Sequence, residues 1–434
     1  MRQKNNFSEI KKVHFIGIGG IGVSAIARMM LLLGKEVSGS DKSHSIITEK
    51  LKKEGAKIFI GHKSQNLKKG TDVIIYTIAV KKDNSELLKA RQLNIKTFTY
   101  PEALGFISHT KKTIAVSGTH GKTTTTAMLA GVLKEAKFSP TVIVGSLMNN
   151  PRDNFIAGKG PYLVCEACEY QESFLNISPF IAVVTNIDND HLDYYKNIIN
   201  IQKAFGKFVQ KVPKNGYVVC NKSNKFIRPI LKKVIGNVVD YSIHKVNFKL
   251  SVPGAHNREN AKAVLAVGNI LGIKKNIIVK ALRNFKGTWR RQEYKGRAKN
   301  GALVYDDYAH HPTEISATLS GFRELFPKKE ITVVFQPHLY SRTKFLLNDF
   351  ARKLGKGANY IIITDIYAAR EKKDRSISGK HLAEKIKKHN KNVLYISKFS
   401  NIVKELRASA GKKDVIITMG AGDIYKVGED FINK

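Results

Sequence analysis

The chain has 434 residues, enough for roughly two to four domains with cores of their own. Lysine and arginine number 74 against 35 acidic residues, and the formal charge of +39 invites a nucleic-acid interpretation. The basic residues are spread along the whole chain and lack the interleaved aromatic motif of RNA-binding proteins. Composition therefore disfavours a specific polynucleotide partner, although a positive field should attract anionic substrates.

The three cysteines cannot build a disulfide framework. Cys165 and Cys168 form C-x-x-C, but a zinc site would need more ligands and a redox site would need a thioredoxin-like context. Free thiols in a reducing compartment fit better. The N-terminus is polar and the early apolar run MMLLL is too short to cross a bilayer. We expect a cytoplasmic protein without membrane insertion.

Strand-like and helical segments alternate from residue 13 to about 107, which predicts a mainly parallel sheet. The strand candidates are VHFIGI, KEVSGSD, AKIFIG, DVIIYTIAV and IKTFTY. The first strand turns through GIGGIG into a helix, and Gly17, Gly19 and Gly22 fit G-x-G-x-x-G around Gly20 and Ile21. Asp41 ends the second strand, where a ribose-binding acid would sit. This pattern suits a nicotinamide cofactor, a UDP-sugar diphosphate or a tight turn without any ligand.

A second glycine loop, SGTHGKTTTT, follows a strand and opens a helix. Gly118 and Gly121 let the backbone wrap an anion, Lys122 suits the β- and γ-phosphates of ATP, and Thr123 can offer a hydroxyl to Mg²⁺. The loop also contains Thr119, His120 and Thr124. Val116 occupies the first glycine position of the full pattern, and the alternative is a threonine-rich helix start.

Further strands are predicted at YLVCEAC, IAVVTNI and YVVC. Candidate metal ligands lie at or after two of these strands, where strand ends converge on a ligand crevice: Glu166, Asp188, Asp190, His191 and Asp193. A carboxylate beside Thr123 would suit Mg²⁺, whereas His191 could equally be a hydrogen-bonded helix cap.

A helix follows the Pro/Gly turn of PGAHNRENAKAVLAVGNIL, and a third α/β segment begins after GTWRRQE. Its strand candidates are ALVYDDYA, ITVVFQ, YIIITDIY, NVLYIS and DVIITMG. We therefore predict three α/β domains, at residues 1–107, 108–287 and 288–434.

The motifs GTHGKTTT, TNID-x-DHLD, G-x-HN, GTWRRQE and DDYAHHPTE occur here in one order at domain-sized separations. Together with HFIGIGGIGVSAIA, this set resembles the Mur ligase family across essentially the whole chain. The resemblance implies an N-terminal Rossmann-like domain for a UDP-linked substrate, a central P-loop ATPase domain and a C-terminal Rossmann-like domain. The first glycine turn would then hold a UDP-sugar diphosphate, and no nicotinamide is needed.

The reaction implied by the resemblance is ATP-driven amide formation in cytoplasmic peptidoglycan precursor synthesis. ATP would phosphorylate the carboxylate of UDP-N-acetylmuramate, and L-alanine would attack the acyl phosphate, with Mg²⁺ or Mn²⁺ as the metal. The alternative is another ligase of the family, which adds a different amino acid or a recycled peptide. The small-molecule substrates would be the main partners of a monomer or homodimer.

The resemblance also implies roles for individual residues. Lys122 matches the phosphate-binding lysine, Thr123 and Glu166 match metal ligands, and His191 matches the histidine of a second metal site. On the ATP side the matched residues are His256, Asn257, Arg290, Arg291 and Asp306, with Asn257 toward adenine and Asp306 toward ribose. Tyr308, His310 and Arg342 would face the reacting centre and the amino acid, and His310 is a catalytic candidate.

Three departures from the family pattern are evident. Relatives often read EADESD where this chain reads EACEYQ, so the metal site has fewer acidic neighbours. Leu339 stands where relatives can carry a second arginine, which bears on amino-acid recognition. Thr77 stands where a Ser-Ser-Ala turn is more familiar, and we expect its hydroxyl to serve the UDP-linked substrate.

Overall fold

A computed structural model describes residues 9–149, 152–369 and 371–433. Valine- and isoleucine-rich runs form strands that are buried on both faces, as parallel sheets require. Contacts within the chain define two units. The first contains residues up to Lys249 with Asn260–Phe285, and the second contains Leu250–Glu259 with the residues from Lys286 onward.

The first unit begins with a five-stranded parallel sheet in the order β3-β2-β1-β4-β5. Its strands are β1 Lys12–Ile16, β2 Glu36–Asp41, β3 Lys57–Ile60, β4 Val73–Tyr76 and β5 Lys96–Thr99. Its helices are α1 Ile21–Leu32, α2 Ile46–Lys53, α3 Ser85–Gln92 and α4 Tyr100–Ser108. All five strands predicted for this segment are present.

The same unit contains a seven-stranded sheet in the order β12-β11-β10-β6-β9-β7-β8, parallel except for the β7–β8 pair. Its strands are β6 Lys112–Ser117, β7 Thr141–Asn149, β8 Arg152–Ile156, β9 Tyr162–Glu166, β10 Ile181–Val184, β11 Tyr217–Cys220 and β12 Asn237–Asp240. The helices of this segment are α5 Lys122–Glu135, α6 Leu192–Tyr195, α7 Ile198–Val209 and α9 Lys275–Arg283, and α8 Ala255–Ile270 has its first residues in the second unit and the others in the first.

The second unit is built on a six-stranded sheet in the order β13-β14-β18-β15-β16-β17, where only the β13–β14 pair is antiparallel. Its strands are β13 Glu293–Arg297, β14 Leu303–Asp307, β15 Glu330–Phe335, β16 Tyr360–Ile363, β17 Val393–Tyr395 and β18 Asp414–Met419. Its helices are α10 Pro312–Leu325, α11 Tyr340–Phe345, α12 Leu347–Gly357, α13 Gly379–Ile386, α14 Phe399–Ser409 and α15 Tyr425–Asn433.

The three mainly parallel α/β sheets match the predicted fold class. Strands β7, β8, β12 and β13 were not predicted. The domain limits at 107 and 287 stay predictions, because the first two sheets share one unit and one buried hydrophobic cluster. Among the residues described, none of the helices combines the length and apolar character needed to cross a membrane.

Helices α1 and α5 begin without the side-chain caps that close other helices. Ser45 and Thr99 each cap a helix through a capping box, whereas Gly20 and Gly121 occupy the N-cap positions of α1 and α5 and provide no side-chain hydrogen bond. Neither helix has an acidic residue in its first turn. Their first-turn N–H groups are therefore suited to an anion, which is the arrangement of a phosphate-binding helix start.

Candidate functional site

The first glycine turn joins β1 to α1 and is held by β2. The N–H groups of Gly17 and Ile18 donate to the carbonyl of Ser40, at 2.8 and 3.0 Å. Gly17 has a φ of +78°, and a Cβ atom there would overlap the side chain of Thr77. A side chain at this position is excluded by both backbone strain and space. The predicted substrate residues Gly17, Gly19, Gly20, Ile21, Gly22, Asp41 and Thr77 thus surround one turn.

Asp41 contacts the turn itself. Its Oδ2 accepts a hydrogen bond of 2.8 Å from the N–H of Gly19. The position of Asp41 at the end of β2 agrees with the sequence expectation. The amide of Gly19 is one of those that the glycine pattern assigns to an anion. A diphosphate bound there would therefore lie near the Asp41 carboxylate as well as the backbone.

The second glycine loop is supported by the segment that follows β10. The N–H of Thr119 donates to the carbonyl of Asn186 at 3.0 Å, and the N–H of His120 donates to Asn186 Oδ1 at 2.9 Å. Gly118 has a φ of +133°, and a Cβ atom there would overlap Thr185 Oγ1. The loop can therefore lie against Thr185 and Asn186 only because position 118 has no side chain.

Lys122, the first residue of α5, points back into this loop. Its Nζ donates to the carbonyls of Gly118 and Thr119 at 2.6 and 3.0 Å. It also lies 2.9 Å from Glu169 Oε2 and 3.1 Å from Glu169 Oε1. Burial alone would lower the pKa of Lys122, but the Glu169 carboxylate raises it above its ordinary value. Lys122 is therefore a fixed cation inside the loop.

The three predicted metal ligands fall into two places around this lysine. Thr123 Oγ1 donates to Glu166 Oε2 at 3.2 Å, and Glu166 Oε1 accepts from the N–H of Gly145 at 2.7 Å. His191 Nε2 lies 3.8 Å from Glu169 Oε1, and its buried Nδ1 has no hydrogen-bond partner among the described residues. Thr123 and Glu166 offer a hydroxyl and a carboxylate at one place, and His191 offers an imidazole nitrogen at the other, which are donor types that divalent cations accept.

In the second unit, Arg290 and Asp306 form a buried ion pair. Arg290 Nε donates to Asp306 Oδ2 at 2.7 Å, and its terminal nitrogens donate to the carbonyls of Gly422 and Gly420 at 2.7 and 2.6 Å. Asp306 Oδ1 accepts from Thr418 Oγ1 at 2.6 Å. Both predicted ATP-binding residues thus have partners within the unit, so a phosphate or ribose contact would require exchange of these bonds.

Arg291, the second arginine of the pair, is less buried. Its guanidinium carbon lies 5.1 Å from the ring centre of Tyr308, and its Nη1 lies 3.8 Å from Glu314 Oε1. Of the two predicted arginines, Arg291 makes the longer ionic contact, at 3.8 Å against the 2.7 Å of Arg290, which favours it for a phosphate.

The predicted amino-acid residues meet around a histidine that the sequence did not single out. His310 Nδ1 donates to the carbonyl of Tyr308 at 2.9 Å, and the His310 ring contacts the His338 ring. Arg342 Nη1 donates to His338 Nδ1 at 3.0 Å. His338 therefore links His310 to Arg342, and the bond to Tyr308 places the lone pair of neutral His310 on Nε2.

His256 and Asn257 open α8 at the Pro/Gly turn. Asn257 Nδ2 donates to the carbonyl of Pro253 at 2.7 Å and to Gln292 Oε1 at 3.2 Å. Burial, with a contribution from Arg291, lowers the pKa of His256 to about 4. His256 is therefore neutral near pH 7 and can offer a hydrogen bond to ATP but not a positive charge.

Sequence reasoning missed Glu169 and His338. Glu169 lies within EACEYQ and His338 within QPHLYSRT, so each stands beside a residue that was singled out. Neither has a local pattern that marks it. Glu169 lies 47 positions from Lys122, so that contact becomes evident only in the folded chain, whereas His338 stands four positions before Arg342.

Two glycine turns, each leading from a parallel strand into an uncapped helix, define an α/β protein of the nucleotide-binding class. Models of one family match all three sheet-containing segments. The Mur ligase family, catalytic domain matches residues 12–112, the Mur ligase middle domain matches 116–249, and the Mur ligase, glutamate ligase domain matches 290–422. The chain belongs to the Mur ligase family.

Relatives and solved structures agree with this assignment. UDP-N-acetylmuramate--L-alanine ligase of Clostridium kluyveri is 44% identical over 99% of both chains, and that of Caldanaerobacter subterraneus is 43% identical over the same share. The crystal structure of UDP-N-acetylmuramate-alanine ligase MurC from Thermotoga maritima matches with a TM-score of 0.82 and 31% identity, over 97% of this chain and 98% of that one. A murein peptide ligase from Psychrobacter arcticus shares the fold, with a TM-score of 0.71 and 22% identity, over 97% and 98% of the two chains.

Proposed function

We propose that this chain is an ATP-dependent ligase that joins L-alanine to the carboxylate of UDP-N-acetylmuramate in peptidoglycan precursor synthesis. The observation that carries the proposal is the identity of 43–44% over nearly the full length to the two ligases with that name. The two phosphate-binding turns support it, because the reaction uses two nucleotides. The substrates are cytoplasmic metabolites, so we place the reaction there.

The chemistry explains why two nucleotide sites are needed. A free carboxylate is a poor electrophile, so a carboxylate oxygen of the muramyl group attacks the γ-phosphorus of ATP and ADP leaves. The alanine nitrogen then attacks the carbonyl carbon of the acyl phosphate, and inorganic phosphate leaves with the bonding electrons. The amine loses a proton to a base. Two anions meet in the first step, so positive charge at the γ-phosphate lowers the barrier.

In this proposal the loop from Gly118 to Thr124 holds the ATP phosphates. Lys122 exchanges Glu169 for the β- and γ-phosphates, and the uncapped start of α5 donates backbone N–H groups. Arg291 adds charge, and neutral His256 with Asn257 contacts the nucleotide. Thr123 and Glu166 would hold one Mg²⁺ or Mn²⁺ ion and His191 would serve a second metal site, and the metal charge would offset that of the phosphate oxygens.

The UDP-linked substrate lies on the first glycine turn in this proposal, with its diphosphate against the uncapped start of α1. Arg342 suits the carboxylate of L-alanine, because a guanidinium binds a carboxylate through two parallel hydrogen bonds. His310 accepts the proton of the amine through Nε2, since Nδ1 already donates to the carbonyl of Tyr308. Leu339 lies beside this cluster and leaves Arg342 to recognise the carboxylate.

Amino-acid-dependent phosphate release tests the proposal. The protein is incubated with ATP, Mg²⁺, UDP-N-acetylmuramate and one amino acid at a time, and the product is identified by mass. We expect L-alanine to give the highest kcat/KM. Preferential release with glycine, L-serine or a peptide would replace this substrate assignment by the alternative ligase. ATP hydrolysis stimulated by DNA or RNA, without a response to the UDP-linked substrate, would overturn the proposal.

A further inference from the structure

A buried polar network lies behind the first glycine turn, in the sheet that carries it. At its centre is Glu86 on α3, whose side chain is inaccessible to solvent. Ser40 Oγ donates to Glu86 Oε2 at 2.6 Å, and Asn66 Nδ2 donates to Glu86 Oε1 at 2.6 Å. An inaccessible carboxylate is costly unless donors and opposite charge surround it, so this arrangement needs an explanation.

Two histidines complete the network. His14 Nε2 on β1 lies 3.8 Å from Glu86 Oε1, and His62 Nδ1 lies 3.5 Å from Glu86 Oε2. His62 Nδ1 also lies 2.9 Å from Ser40 Oγ. The single hydrogen of the Ser40 hydroxyl is donated to Glu86, so the Ser40 oxygen must be the acceptor in its bond with His62. The result is a directed chain of hydrogen bonds from His62 through Ser40 to Glu86.

The charge of Glu86 is maintained in this environment. Burial alone would raise its pKa, but the contact with His14 and the hydrogen bonds from Ser40 and Asn66 lower it below its ordinary value. The position of the carboxylate is also fixed by the backbone, because Asn84 caps α3 and accepts from the N–H of Glu86 at 2.9 Å. Glu86 is thus an ionised and immobile acceptor.

Ser40 connects this acceptor to the glycine turn. Its hydroxyl donates to Glu86, while its carbonyl accepts the N–H groups of Gly17 and Ile18. Asp41, which accepts from Gly19, is the next residue along β2. The orientation of residue 40 therefore determines where the backbone of the turn lies, and the turn's amides are the groups that approach a diphosphate.

We propose that Glu86 is a positioning residue for the UDP-linked substrate, acting through Ser40 on the glycine turn, with His14 and His62 beside its carboxylate. This inference rests on the proposed function, because it takes the glycine turn as the substrate's diphosphate site.

The experiment compares Glu86→Gln with wild type by calorimetric titration with UDP-N-acetylmuramate, and by KM for each nucleotide. Glutamine keeps the shape but has one acceptor atom for two donors, so the Ser40 link loosens. We expect Kd and KM for the UDP-linked substrate to rise about tenfold, the size of one lost charged hydrogen bond, while KM for ATP changes less than twofold. Ser40→Ala removes the link with a smaller volume change and should raise the same Kd about threefold.

A matched variant separates positioning from general loss of stability. Ile74→Val shortens a fully buried side chain on β4 of the same sheet and removes none of the hydrogen bonds of the network. We expect Ile74→Val to lower the melting temperature and leave both KM values unchanged. Folded Glu86→Gln and Ser40→Ala proteins with wild-type affinity for the UDP-linked substrate would overturn the inference. A wild-type protein that does not bind that substrate would instead overturn the proposed function.

Discussion

Lys122 and Glu169 form a buried ion pair in the loop that the sequence assigns to ATP. Lys122, the cation proposed for the phosphates, is thus already paired with Glu169. The proposed reaction requires Lys122 to exchange this carboxylate for the phosphates. When Lys122 leaves, the buried Glu169 carboxylate needs another hydrogen-bond donor. His191 Nε2 lies 3.8 Å from Glu169 Oε1, so it would have to move slightly closer to donate.

Replacing Lys122 tests both roles of the pair. We expect Lys122→Ala to lower kcat at least about 100-fold, because a charge at the transferred phosphate is lost. It should also lower the free energy of unfolding by about 3 kcal/mol, because Glu169 stays buried without its partner. The double variant with Glu169→Gln should recover stability but not turnover. Affinity for UDP-N-acetylmuramate serves as the control and should not change. Wild-type stability of Lys122→Ala would contradict the importance of the pair.

His256 gives a pH dependence whose sign can be worked out. Its folded pKa of about 4 lies below the ordinary value of 6.5, so the unfolded chain binds a proton that the folded chain refuses. The stabilisation is complete above pH 6.5 and is lost as the pH falls toward 4, by up to about 3 kcal/mol. As the pH falls from 6.5 to 4, we expect the melting temperature of the wild type to fall toward that of His256→Gln, because glutamine does not bind the proton. Parallel curves between pH 4 and 7 would contradict the burial of a neutral His256.

The glycine loop that precedes helix α5 tolerates little change. Gly118 has a φ of +133° and lies against Thr185, so Gly118→Ala would strain the backbone and displace the segment that follows β10. We expect a loss of about 1–3 kcal/mol in stability and a rise in KM for ATP. Gly131→Ala, on the exposed face of α5, is the control, since a Cβ atom at position 131 would meet nothing within 4 Å. It should be neutral or stabilise by up to about 1 kcal/mol, and equal effects of the two changes would refute this account.

The elements differ in how well the sequence predicted them. Central parallel strands are continuous runs of valine and isoleucine, and both glycine turns are marked by residues close together in sequence, so these features were predicted. Strands β8, β12 and β13 are short, polar segments at sheet edges, where pairing with a neighbour supplies the stability and alternation is weak. Strand β7 carries a clearer apolar run, TVIV, which the prediction passed over.

The candidate site follows the same rule. Lys122, Thr123 and the first glycine turn are local motifs, whereas Glu86 and Glu169 act on residues that lie 46 and 47 positions away along the chain. A single sequence taken by itself contains no signal that pairs such distant positions. The ion pair of Arg290 with Asp306 was also not anticipated, because both residues were assigned to ATP and not to one another.

The strongly basic character of the whole chain makes one kinetic prediction. With a formal charge of +39, association with a multiply anionic substrate should be accelerated by the protein's field. We expect the association rate of UDP-N-acetylmuramate, measured by stopped flow, to fall several-fold as ionic strength rises from about 0.05 to 0.5 M. KM for zwitterionic L-alanine should change little under the same conditions. An association rate that does not change with ionic strength would show that the positive charges of the protein do not accelerate substrate binding.

The β7–β8 hairpin of the second sheet contacts the helices of the first. Asp153 of β8 contacts both Arg28 of α1 and Lys50 of α2, and Arg28 also binds Glu54 through two bonds of 2.7 and 2.8 Å. Asn154 donates to the carbonyl of Ile21 and to Ser24 Oγ, beside the glycine turn. The β7–β8 hairpin therefore belongs functionally to the segment that precedes it. A chimaera that takes residues 1–107 from one ligase and the remainder from another would split this set of contacts, so exchange of substrate specificity between relatives requires transplanting the hairpin together with the N-terminal segment.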